Sequence, residues 1–128
     1  MQAPGLTLAY RPDLVLVIAR WQREITSAEL QSGYLAIRDV ADEAQCSQWL
    51  LDLRRRNNVT EPTVNAWFGR DFAPSLRGRY RRPVRLAFLV SPLRAQQPVT
   101  ATVSAANTDC QIDTFTEEAL AYEWLTAS

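Results

Sequence analysis

Runs of apolar residues at 14–21 (LVLVIARW), 49–53 (WLLDL) and 84–90 (VRLAFLV) are nearly continuous. Continuous rather than alternating hydrophobicity over so short a length predicts strands covered on both faces. A further run, Leu6 to Tyr10, is separated from the first by Arg11-Pro12-Asp13, which is turn chemistry, so a β-hairpin opens the chain. Between the strands the period changes. Thr26 with Glu29 forms a capping box, and Ile25 with Leu30 fits a hydrophobic staple. Leu30, Tyr34, Ile37, Ala41 and Ala44 then recur at three- and four-residue spacing, which predicts a helix over 27–45 with one face on a sheet.

After the strand at 47–53, Pro62 begins a second helical pattern with Val64, Trp67, Phe68, Phe72 and Leu76 on its apolar face. Pro74 is expected to kink or split that helix, and Gly78 to stop it. Residues 93–109 suit a short helix or a loop. A short strand is expected at Gln111–Phe115, followed by a helix presenting Leu120, Tyr122, Trp124 and Leu125. The order β-β-α-β-α-β-(α)-β-α predicts an α/β fold: a mixed central sheet of about five strands, an N-terminal β-hairpin and three to four packed helices. Strands two, three and four, being separated by helices, are expected to run parallel.

Length and composition narrow this picture. At 128 residues a single domain spanning 1–128 is the natural reading, and a 47% hydrophobic share argues against disorder. Fourteen acidic residues cancel fourteen basic ones, so no global field draws the chain to nucleic acid or anionic lipid. All fourteen bases are arginine, the residue suited to bidentate pairing with carboxylate or phosphate, although a coding bias explains the same fact. Histidine is absent, which removes the commonest general base and metal ligand. The two cysteines, Cys46 and Cys110, have no CxxC spacing. They read as reduced thiols of a cytoplasmic protein, with a disulfide between them left open. No apolar run is long enough to span a membrane, the first residues do not form a signal peptide, and no metal or cofactor is implied.

The order of elements, the L-L-D-L at 50–53, the R-P-D-L at 11–14, the R-W-Q at 20–22 and the W-L-L-D-L-R-R-R at 49–56 resemble the SpoIIAA-like fold of STAS domains, and in particular small bacterial STAS/SEC14-type proteins. The resemblance covers about 6–126. Its motifs are mostly structural, so it speaks to fold more than to function. It implies a single STAS-like domain with a protein-interaction or regulatory role. STAS domains that antagonise anti-sigma factors carry a phosphorylatable serine in a D-S-x-G pattern at the start of the second helix. The corresponding stretch here is N-N-V-T-E-P-T at 57–63, with neither serine nor glycine. Glu61 falls near the acceptor position with Thr60 beside it, and Thr60 reads as a helix cap before it reads as a phosphoacceptor.

The candidate contact rim is therefore Asp52, Arg54, Arg55, Arg56, Asn57, Asn58, Thr60 and Glu61. Asp52, set in an apolar strand, is either a carboxylate with a raised pKa or an acid paired with an arginine or with loop N–H groups. The second explanation is the more economical. Arg54 to Arg56 form either an anion pocket or a solvated rim. A second basic cluster, Arg77, Arg79, Arg81, Arg82 and Arg85 with Tyr80 interleaved, has the composition of a single-strand nucleic-acid surface. Neutral net charge and nearby acids favour self-association or pairing within the chain instead. No Gly-rich phosphate loop, G-x-S-x-G or paired carboxylate motif is visible, so catalysis is not expected. The leading expectation is a non-enzymatic module that binds a protein partner or itself as a homo-oligomer such as a dimer. The alternative is a carrier of an apolar or anionic small ligand of SEC14-like type, held between a helix and the sheet.

Overall fold

The computed structural model describes residues 5–23, 26–55, 66–92 and 110–126. Its frame is a five-stranded mixed sheet in sequential order: β1 (Leu6–Arg11), β2 (Leu16–Trp21), β3 (Gln48–Asp52), β4 (Arg85–Leu89) and β5 (Gln111–Phe115). β1 runs antiparallel to β2, and β2 through β5 run parallel. The α/β class, the hairpin and the parallel run of strands two to four are as the pattern predicts. β2 starts two residues later than the apolar run, because Pro12 to Val15 form the turn, with the Leu14 and Val15 amides donating to Arg11 and Pro12 carbonyls.

α1 spans Ser27–Ala44 and begins at the expected capping box, Thr26 accepting from the Glu29 amide and Glu29 accepting from the Thr26 amide. Ile25, the other half of the staple, lies outside the described residues. Leu30, Tyr34, Ile37 and Ala41 are buried, as their spacing requires. Gly33 lets the helix sit close to β2, for a Cβ there would lie 2.9 Å from the Trp21 ring.

The predicted second helix is described only from residue 66, so Pro62 and Val64 fall outside. What is described is not a regular α-helix. Phe68–Phe72 form a π-helical turn, with the Ala73 amide bonded to the Phe68 carbonyl, and Ala73–Leu76 tighten into a 3₁₀ turn. Pro74 explains the change. It has no N–H to continue the ladder, so the backbone changes pitch around it. Gly78 ends the segment at φ +67°, as expected.

Both faces of the sheet are covered. On one, Val17, Trp21, Trp49, Leu51, Leu86 and Phe88 pack against α1 and the 68–76 segment, with Tyr34 5.2 Å from Phe68 and 5.3 Å from Phe72 between ring centres. On the other, Leu16, Ile18, Leu50, Ala87 and Leu89 meet Ala121 and Leu125 of α2 (Glu118–Thr126). Here the sequence expectation needs correction. Leu120 is 48% exposed and Ala121 is buried in its stead, whereas Leu125 is buried as expected and Tyr122 and Trp124 pack against the same cluster. Over nine residues a helix makes too few turns for its apolar phase to be read from spacing alone. The expected element within 93–109 lies outside the described residues. Cys46 and Cys110 are both buried and unbridged.

Candidate functional site

The carboxyl ends of the parallel strands form one rim, where open α/β sheets place most of their sites. Two charged residues reach it from inside strands that are otherwise apolar. Arg20 is next to last in β2 and Asp52 is last in β3, and the parallel register sets them side by side. Both side chains point to the face that α2 covers, and Glu118 at the start of α2 closes the group.

Asp52 is 7% exposed, and its oxygens are fully engaged. Oδ1 accepts from the Arg54 amide at 3.1 Å and from Arg54 Nε at 3.0 Å. Oδ2 accepts from Arg54 Nη2 at 2.9 Å and Arg20 Nη1 at 2.8 Å. A carboxylate offers about four acceptor positions, so none is left for a substrate or an incoming proton donor. Burial pushes the Asp52 pKa up, but the Arg54 side-chain and backbone bonds, with Arg20, outweigh it and hold the group below the usual carboxylate range. The raised-pKa alternative does not fit this geometry. The paired acid does.

Glu118 takes a bidentate contact from Arg20 (2.8 and 3.1 Å), a longer one from Arg54 (3.3 Å) and a hydrogen bond from the Tyr122 hydroxyl at 2.8 Å. Arg20 lowers the Glu118 pKa, and burial together with Glu118 raises that of Tyr122. Both arginines are correspondingly held in their charged form, Arg20 chiefly by Glu118 and Arg54 chiefly by Asp52. Two positive and two negative charges thus cancel in a partly buried cluster joining β2, β3 and α2. Beyond it, Arg55 is exposed and donates from Nη1 to Gln22 Oε1 at 2.7 Å, while Gln22 is tied by its amide to the Gly5 carbonyl.

Of the rim anticipated from sequence, Asp52 and Arg54 are brought together, and Arg55 stands apart from them, bonded to Gln22. Arg56, Asn57, Asn58, Thr60 and Glu61 lie outside the described residues. Arg20, Glu118 and Tyr122 were missed. A signal for Arg20 existed: a lone arginine near the end of an apolar strand needs a partner, and the lone acid of the next strand stands at a matching height. Glu118 carried no such signal, since it lies 98 positions from Arg20.

The second basic cluster is dispersed rather than assembled. Arg79 makes a bidentate pair with Asp42 of α1, and Arg85 donates to Gln111 and to the Trp124 carbonyl. Tyr80 is 9% exposed, donates its hydroxyl to Asp42 and turns its ring toward Trp49, so it is not presented for base stacking. Among the described residues no three His, Cys, Asp or Glu side chains gather as a metal site, and no helix is long and apolar enough to cross a membrane. Compared with protein-family models, curated proteins and solved structures, the chain matches none.

Proposed function

We propose that the chain is a non-enzymatic regulatory module that docks a protein partner, or a second copy of itself, through the rim at Arg54 and Arg55, in the manner of STAS-type domains. The observation that carries this reading is the complete engagement of Asp52. Among the described residues of the rim Asp52 is the buried acid, and it works as a clamp that holds the Arg54 backbone and side chain in one arrangement next to Arg55. Ordering charged side chains before contact lowers the entropy lost on association. The sequential sheet with its opening hairpin and the L-L-D-L strand end at 50–53 add the STAS-like resemblance. The interior weighs against a ligand carried between helix and sheet, because Trp21, Trp49, Phe68 and Phe72 are each at most 2% exposed and fill that layer.

The experiment is size-exclusion chromatography with light scattering, together with a pull-down, on wild type and an Arg54/Arg55/Arg56→Ala variant. Loss of an assembly or of a bound protein in the variant is expected. Unchanged mass and unchanged partners would reject the rim's role.

A further inference from the structure

The opposite end of the sheet holds a feature that the docking reading does not use. At the amino ends of β2, β3 and β4 a half-open cleft of about 440 Å³ is lined by Val15, Gln45, Ser47, Gln48, Arg81 and Arg82, among others, and among the described residues no carboxylate lines it. Arg81 and Arg82 are exposed and carry no hydrogen bond or ion pair among the described residues. Every other described arginine has a partner: Arg11, Arg20, Arg23, Arg54, Arg70 and Arg79 an acid, Arg38, Arg55, Arg77 and Arg85 another contact. In a chain that answers its guanidinium groups so consistently, two adjacent unanswered ones facing one cleft stand out.

Their usual alternative duty, neutralising helix carboxyl ends, is already taken. Both helices end at this cleft. The last carbonyls of α1 accept from the Gln45 and Cys46 amides and from Gln45 Nε2. Those of α2 accept from Thr126 Oγ1 and Arg85 Nη1. The walls are also held in place. On one side the Tyr80 and Arg79 bonds to Asp42 anchor the segment just before Arg81, and the Arg85 amide bonds the Ser47 carbonyl just after Arg82. On the other side stand Val15 and Gln45, the two non-glycine residues with φ near +51° among those described. Gln45 adopts that conformation as the cap of α1. Val15 adopts it as the closing residue of the β1–β2 turn, its amide bonded to the Pro12 carbonyl. A β-branched residue pays a steric penalty there, its side chain is 52% exposed, and its carbonyl accepts from the Cys46 thiol at 3.3 Å. Backbone strain of this kind collects at ligand clamps.

We infer that this cleft binds a small organic anion, its phosphate or carboxylate group held by Arg81 and Arg82 and its short apolar body resting on Leu14 and Val15. Ser47, Gln45 and Gln48 supply neutral hydrogen-bonding groups around the anion. The helix dipoles ending here oppose a negative charge, so the two guanidinium groups are indispensable to binding. The site is independent of the docking rim, and either can fail without the other.

The test is a ¹H–¹⁵N NMR titration of the full chain with phenyl phosphate and, separately, benzoate, at constant ionic strength. Saturable shifts at the Val15, Gln45, Ser47, Gln48, Arg81 and Arg82 amides are expected. A response to one probe alone assigns the headgroup, and a response to both assigns any such anion. The Arg81→Ala/Arg82→Ala variant should bind about tenfold more weakly or worse, about the effect of losing one charge-assisted contact, while Arg70→Ala changes nothing. An Arg81→Lys/Arg82→Lys variant, which keeps the charge without the fork, should fall between. No saturable shift with either probe up to about 10 mM, a concentration reaching weak millimolar binding, would overturn the inference. So would equal binding by the double-alanine variant.

Discussion

The two rims of this sheet use the same side chain in opposite ways. At the carboxyl ends, Arg20 and Arg54 are drawn into a neutral cluster with Asp52 and Glu118 that joins two strands to the last helix and leaves the Arg54 side chain 43% exposed at its edge. At the amino ends, Arg81 and Arg82 sit at the mouth of a cleft with no acid on its walls among the described residues. The difference lies in what the strands themselves carry. β3 ends in a buried acid that demands cations, whereas the amino ends of β2 and β3 offer the neutral Val15, Ser47 and Gln48. An arginine is a structural group or an available one according to the residue that its neighbouring strand places beside it.

The largest test of that contrast is Asp52→Ala. It strips Arg54 of its bidentate partner and leaves Arg20 with Glu118 only. Removing one member of a fully buried pair costs roughly 3–5 kcal/mol, and partial exposure of both arginines with a surviving acid brings the expected loss to about 2 kcal/mol, read from urea unfolding. A loss below about 0.5 kcal/mol, the range of a neutral surface change, would make the cluster incidental. Next is Tyr80→Phe, which removes the hydroxyl bond to Asp42 behind the cleft. About 1 kcal/mol is expected for one partly buried hydrogen bond to a charged acceptor, together with broadened amide signals at Arg81 and Arg82. Smallest is Arg81→Ala/Arg82→Ala, expected to change stability by no more than about 0.5 kcal/mol, because neither side chain has a partner to lose. A large loss there would show that the amino-end arginines are structural after all.

Acid separates the paired arginines from Arg81 and Arg82 as well. Asp52, Glu118 and Asp42 all have folded-state pKa values below their ordinary ones. In the window between the folded and unfolded values the unfolded chain binds more protons, so stability is full above the unfolded pKa values of about 4 and falls as pH drops through the folded ones. The melting temperature should be level from neutral pH down to about 5 and decline below it. Asp52→Asn should flatten part of that decline, and the Arg81/Arg82 double variant should leave it unchanged.

Much of the frame was legible because the relevant signals are local. Thr26 and Glu29 announce α1 within four residues. The unbroken apolar runs of β2, β3 and β4 report burial on both faces. Pro74 marks the break in the middle helix, though not that the chain would answer with a π turn, since that depends on how Phe68 and Phe72 pack against Tyr34. The site was half legible. Asp52 stood out as an acid in an apolar strand, and pairing with an arginine was the expected resolution. The identity of its partners was not readable, because Arg20 and Glu118 meet it only through sheet register and helix docking. The split of the 77–85 arginines was hidden for the same reason: the acid that claims Arg79 belongs to α1, 37 positions earlier. Leu120 misled because α2 is short, and the strained turn at Val15 has no sequence signature, for valine is among the residues least suited to it.

The central claim is that Asp52 is a clamp, charged at neutral pH, beneath the proposed docking rim and not a reactive acid. Its most direct test is the titration of the Asp52 side-chain carboxyl carbon by ¹³C NMR in the folded protein. The account predicts a midpoint below the ordinary value of about 3.9, rising toward that value when Arg54 is replaced by alanine. A midpoint of about 5 or higher, the mark of a carboxylate dominated by burial, would contradict it.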